Sequence, residues 1–156
     1  MQTNHAQLWK ILIDDVAGLV RAKAVLAQQL QESDKKAKEE LKRFLLELIE
    51  VLDAFDRVFA NIAGRENEQP IGEQTRGWIG NFRGVRRQLE RKLKACGVVS
   101  IADPPDRLAR LGFHVVVDTR PATGLQNDTI LEEVQKGYLW HSDVLRKAHV
   151  IAVKNN

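Results

Sequence analysis

The sequence predicts an α+β chain with segregated parts: helices first, then a small, mostly antiparallel sheet or half-barrel. Three observations carry this. Residues 7–62 contain no Pro and only one Gly, Gly18, and their apolar residues step by threes and fours. A second helical run follows a loop containing Gly and Pro. After Gly97 the apolar period shortens to that of strands, and turn clusters separate short β-rich runs. The expected division is a helical part over 1–97 and a β part over 98–156.

In the first helix, Leu12, Val16, Leu19, Leu26 and Leu30 follow a heptad seam. The stepping resumes at Leu41, Leu45, Leu48, Leu52, Phe55, Phe59 and Ile62. Between these stretches, QESDKKAKEELKR (31–43) puts Ser33 and Ala37 on the seam and breaks the strict heptad, which locally unwinds a supercoil. The prediction is one long helix in two unequal halves. The first half carries a narrow stripe suited to a single partner helix. The second, FLLELIEVLDAFDRVF (44–59), has a broad apolar face suited to a bundle core. At about 1.5 Å per residue such a helix is roughly 80 Å long, more than a globule of this size can cover. The early stripe therefore calls for a second copy, and a parallel homodimer is predicted.

AGRENEQPIGEQT (63–75) is expected to be a loop. A second helix is predicted from about Arg76 to Cys96. Trp78, Phe82, Val85, Leu89, Leu93 and Cys96 form its apolar face, and Gly97 is a suitable residue just past its end. Gly77, Gly80 and Gly84 each weaken it by up to about 1 kcal/mol relative to Ala, and mark either close helix approach or a frayed start. Five strands are then expected: VVSI (98–101), FHVVV (113–117), TILEEV (129–134), YLW (138–140) and AHVIAV (148–153). Turn clusters DPPD, RPATG, QND and HSD lie among them. The segment GYLWHSDVLRKAHVIAV (137–153) reads as two short strands around a polar turn, aromatics on one arm and alternating Val on the other. Tyr138 and Trp140 alternate and share a sheet face, which reads first as the core of the β part and next as a partner contact.

Composition narrows the chemistry. The formal net charge of +3 is weak support for nucleic acid. The basic excess is local, with Arg76, Arg83, Arg86, Arg87, Arg91, Lys92 and Lys94 against Glu90. It reads first as the solvent face of a helix, next as a match for an acidic protein surface, and only then as a nucleic-acid site. The one cysteine, Cys96, excludes an internal disulfide and a cysteine-based zinc site. MQTNHAQLWK has no basic start followed by an apolar core, and no apolar run is long enough to span a bilayer. A soluble, cytoplasmic protein without membrane association is expected. His5, His114, His141 and His149 show no metal-ligand spacing, and the adjacent acids Asp14–Asp15, Glu39–Glu40 and Glu132–Glu133 point in different directions. Phosphate-binding and nucleophile-elbow motifs are missing from the sequence. No catalytic residue, metal or cofactor is expected. Recognition remains: a dimeric rod presenting a β module to another protein.

Three blocks then carry a resemblance. TILEEVQKGYLWHSDVLRKAHVIAV (129–153), FLLELIEVLDAFDRVF (44–59) and LKACGVVSI (93–101) resemble, in the same order, segments of the GrpE family of nucleotide exchange factors. The resemblance implies a homodimer with a long paired helix, a four-helix bundle from two helices of each protomer, and a compact C-terminal β domain. It implies as partner the ATPase domain of a DnaK-type chaperone, whose open nucleotide cleft would be favoured so that ADP leaves. Dimerisation would fall to Leu12, Val16, Leu19, Leu26, Leu30, Leu45, Leu48, Leu52, Phe55, Phe82 and Leu89. Partner contact would fall to His114, Gly137, Tyr138, Asp143 and Arg146 in the β part and Lys35 on the rod. Gly137 also reads as a bulge or close backbone approach, and Arg146 as a functional charge or a structural ion pair. The chain departs from the family where AVLA (24–27) replaces an Asn-aromatic-basic-basic stretch. It departs again where Val116 replaces an Ala two places after His114, and where Ser142 and Asp143 replace a Gly and a basic residue at the hairpin turn. The family's disordered N-terminal extension is expected to be nearly absent. A dimeric coiled-coil scaffold or adaptor without exchange activity is the alternative reading.

Overall fold

A computed structural model describes residues 3–66, 71–101 and 108–155. Helix α1 spans Thr3–Glu66 and α2 spans Glu73–Ala95. Six strands follow: β1 Val98–Ser100, β2 His114–Arg120, β3 Ile130–Gln135, β4 Tyr138–Trp140, β5 Asp143–Arg146 and β6 Ala148–Val153. The α+β class read from the sequence is the observed one. Packing divides the chain into two units, Met1–Arg43 and Phe44–Asn156.

The first unit is helix alone, and a lone helix cannot bury its own stripe. Leu12, Val16, Leu19, Leu26 and Leu30 are each more than half exposed, and so are Trp9, Ile13 and Val20 beside them.

In the second unit the helix acquires a core. Leu45, Ile49 and Leu52, stepping by four and three along α1, are buried against Leu93 of α2 and against Val98, Tyr138, Trp140 and Leu145. These last four come from the sheet with order β1-β4-β5, whose pairs are all antiparallel. A second sheet has order β2-β6-β3, with β6 antiparallel to β3 and parallel to β2. Ile130, Ala148 and Val150 form its buried cluster.

Several boundaries differ from expectation. α2 begins at Glu73, earlier than Arg76, because Gly72 supplies the cap residue and its carbonyl accepts the Arg76 N–H at 3.1 Å. Glu73 also sets a carboxylate at the positive end of the helix dipole. A Cβ placed on Gly77, Gly80 or Gly84 would meet nothing within 4 Å, so these glycines mark no close approach inside the protomer. Among the described residues the β part has two three-stranded sheets and six strands. The missed strand is β5: DVLR is short and starts on a residue that reads as turn. The hairpin is consequently β4–β5, turning at His141 and Ser142, while the Val-rich arm β6 belongs to the other sheet. Residues 67–70 of the expected loop and the DPPD cluster lie outside the described residues.

The junction between helix and sheet rests on one glycine. Gly97 has φ +83°, and a Cβ there would lie 2.5 Å from the His141 ring. Its carbonyl accepts the His141 N–H at 2.8 Å. The indole Nε1 of Trp140 donates to the Cys96 carbonyl at 3.2 Å, which satisfies an acceptor left over at the helix end.

Candidate functional site

The β4–β5 hairpin is anchored to α1 by a network of charged and polar side chains. Asp53 and Asp56 are one turn apart, beside the buried Leu52, so both carboxylates leave the helix on the side that faces α2 and the sheets. Arg146 of β5 donates from Nη1 and Nη2 to the two oxygens of Asp53, at 2.6 and 2.9 Å. This bidentate geometry fixes orientation as well as distance. The same guanidinium donates to the Lys136 carbonyl, from Nη2 at 2.8 Å and Nε at 3.2 Å, and lies 5.4 Å from the Tyr138 ring centroid. Gln135 Nε2 adds a bond to Asp53 at 2.9 Å. Asp56 takes a second fork, from Arg86 of α2 (Nε at 2.6 Å, Nη2 at 3.2 Å), together with Lys136 Nζ at 3.1 Å. Two acids on one helix thus hold α2, the β3–β4 link and the hairpin together.

Electrostatics follow from this geometry. Burial alone would raise the Asp53 carboxyl, but the hydrogen bonds from Arg146 and Gln135 and the Arg146 charge outweigh it and hold the pKa below the ordinary 3.8. Asp56 is likewise held low, since Arg86 and Lys136 outweigh its burial. Arg86 is held more firmly protonated by its bond to Asp56, despite its own desolvation. Burial, followed by the nearby charges of Asp53 and Asp56, pushes the Tyr138 phenol up to about 12.

Gly137, Tyr138 and Arg146 come together here. Gly137 is buried where the two sheets meet: a Cβ on it would lie 2.5 Å from the Ala148 nitrogen and 2.9 Å from the Ala148 Cβ. Its carbonyl accepts the Ile101 N–H at 2.9 Å. The close backbone approach expected of this glycine is present. Tyr138 is buried in the core cluster. His114 belongs to the other sheet, in register with Ala148; it is buried, and its Nδ1 accepts the Arg110 N–H at 2.9 Å. Asp143 is exposed at the start of β5, and Lys35 is exposed in the first unit.

The residues expected at the dimer seam divide by position. Leu45 and Leu52 lie inside the protomer core, with Leu48 and Leu89 packed at its edge. Phe55 stacks on Phe59 at 6.1 Å, and Phe82 is 53% exposed. With Val58, Ile79 and Ile62 these aromatics line an almost wholly apolar groove of about 340 Å³ between α1 and α2. Asp53, Asp56, Gln135 and Lys136 were assigned no role from the sequence, and Arg86, read first as part of a solvent-facing basic cluster, is instead drawn in against Asp56 with its side chain 15% exposed. Their signal was the pair of acids spaced by three, Asp53 and Asp56, set among Leu52, Ala54 and Phe55 of an apolar helix face.

Among the described residues no group of His, Cys, Asp and Glu could hold a metal ion, and no helix is long and apolar enough to cross a membrane. A GrpE family model matches residues 6–154. The chain is similar to Protein GrpE of Prochlorococcus marinus strain MIT 9303, with 31% identity over 110 residues, covering 68% of this chain and 42% of that protein. It is similar to Protein GrpE of strain MIT 9211, with 33% identity over 110 residues (68% and 40%). Protein GrpE of Synechococcus elongatus is 33% identical over 118 residues (72% and 52%). The chain spans about two fifths of the length of the Prochlorococcus relatives it matches.

Proposed function

The chain belongs to the GrpE family, and from this premise we propose that it is a cytoplasmic co-chaperone, an adenyl-nucleotide exchange factor for a DnaK-type chaperone. It binds the chaperone's ATPase domain and works by recognition, without catalysis of its own. The observation that carries this reading is the double fork, Arg146 on Asp53 fixing the hairpin to α1 and Arg86 on Asp56 fixing α1 to α2. A wedge that favours one state of a partner must not yield when it docks. Binding the open nucleotide cleft better than the closed one lowers nucleotide affinity by the same factor. Residues 98–156 form this wedge, and residues 1–97 dimerise and position it. Asp143 and Lys35, both exposed, make direct contacts. Gly137, Tyr138, Arg146 and His114 give the contacting surface its shape.

Dimerisation is supported by the exposed seam Leu12–Leu30 and by the apolar groove at Phe55 and Phe82. Both are apolar surfaces that water penalises. Sedimentation equilibrium should give a dimer, and Leu19→Asp with Leu26→Asp should weaken it.

The deciding assay is stopped-flow release of labelled ADP from a DnaK-type ATPase domain. Release should accelerate and saturate with added protein. An unchanged rate at saturation sinks the exchange reading. If the ATPase domain binds and its rate does not change, the scaffold reading holds instead; the absence of basic residues at AVLA (24–27) favours that alternative.

A further inference from the structure

A second surface, on the α2 and β1 side of the core, has the character of a peptide groove. A cleft of about 480 Å³ opens between α2 and β1. Its floor is apolar and includes Leu52, Leu93, Val98 and Tyr138. Its rim is basic: Arg87, Arg91 and Lys94 are exposed and, four and three residues apart, share one face of α2. The acid in the lining, Glu90, is engaged by Arg86 Nη1 at 2.9 Å, so it leaves the positive character of the rim intact. The opposite wall is β1, an outer strand of its sheet, with Val99 and Ser100 exposed.

We propose that this cleft docks an extended segment of another protein in which acidic residues alternate with apolar ones. The spacing fits. Arg87 and Arg91 are separated by about 6 Å along the helix axis, and side chains on one side of an extended chain repeat about every 6.6 Å. Carboxylates two positions apart therefore meet successive cations of the rim, while an apolar side chain between them reaches the floor. An outer strand also offers backbone donors and acceptors to a chain lying alongside it. A nucleic-acid strand fits less well. The floor offers hydrocarbon where stacked bases need an exposed aromatic platform, and Tyr138 is buried. This inference does not depend on the nucleotide-exchange reading.

The test is fluorescence anisotropy on the full chain, with a labelled peptide of sequence Asp-Ile-Asp-Val-Glu-Leu and a control in which Asn and Gln replace the acids. A labelled single-stranded oligonucleotide serves as a third probe. The acidic peptide should bind at least about tenfold tighter than its amide control at low salt, and the difference should shrink as salt rises. Arg87→Glu with Arg91→Glu should abolish the difference. Lys92→Glu, exposed on the same helix and outside the lining, should leave the affinity within about twofold. Helical circular dichroism of each variant reports that the fold is retained. Equal affinity for the two peptides overturns the proposal, as does unchanged binding by the double variant. So does an oligonucleotide that binds more tightly than the acidic peptide and is released by the same double variant.

Discussion

Replacing Asp53 with Ala should cost about 2 kcal/mol of stability in the second unit, a value that follows from the partners it strands. The carboxylate accepts bonds from both Nη atoms of Arg146 and from Gln135, and the two side chains of the pair are only 14% and 17% exposed. A hydrogen bond to a charged group is worth about 1.5–3 kcal/mol, and removing one member of a fully buried pair costs about 3–5 kcal/mol. The cost here falls below that upper range because Arg146 keeps the Lys136 carbonyl and remains solvated in part. A double-mutant cycle of Asp53→Ala and Arg146→Met should give a coupling of about 1.5 kcal/mol. Urea unfolding followed by Trp140 fluorescence, with Trp9 and Trp78 replaced by Phe, measures it. Protein concentration must be equal across variants, since association shifts apparent stability. A coupling below about 0.5 kcal/mol, the range of exposed ion pairs, would refute the reasoning. On the proposed exchange reading, the same Asp53→Ala variant should also accelerate ADP release less than the unsubstituted chain in the stopped-flow assay, with its sedimentation unchanged.

Three further outcomes are expected. Asp53 and Asp56 titrate below the ordinary 3.8, so their contribution to stability is present above that pH and is lost as pH falls through their folded values. Urea midpoints should therefore drop below about pH 4, and less steeply once both residues are Asn. Tyr138 is the sole tyrosine, so phenolate absorbance titrates it directly; the rise should centre near 12, and a rise near the ordinary 10.0 in the folded protein would contradict its burial. Because its folded pKa is raised, Tyr138 contributes stability below pH 10.0 that is lost as pH climbs towards about 12. Gly137→Ala should lower stability by about 2 kcal/mol through overpacking against the Ala148 backbone, seen as a lower Tm; an unchanged Tm would disprove the close approach.

The sequence revealed what short-range physics controls. Apolar spacing found both helices, and the loss of that spacing at Gly97 marked where strands begin. Gly97 and Gly137 were legible because few residues but glycine satisfy a left-handed turn or a backbone contact. The parallel register of β2 on β6 was not legible, because it joins segments separated by three other strands. Nor was the inward face of α1. Leu45 and Leu52 step like seam residues, and only the arrival of Tyr138, Trp140 and Leu145 turns them into a protomer core. Asp53 and Asp56 drew no assignment for the same reason, since their cations lie 30 to 93 residues away.

In the β2-β6-β3 sheet, β2 and β3 are both bonded to β6 and not to each other. A ribosome that has not yet released residues 148–153 therefore carries two edges with nothing between them, whereas α1 and α2 can already coil from local contacts. Protease sensitivity of nascent chains should accordingly persist across β2 and β3 until that strand emerges, then vanish across both together.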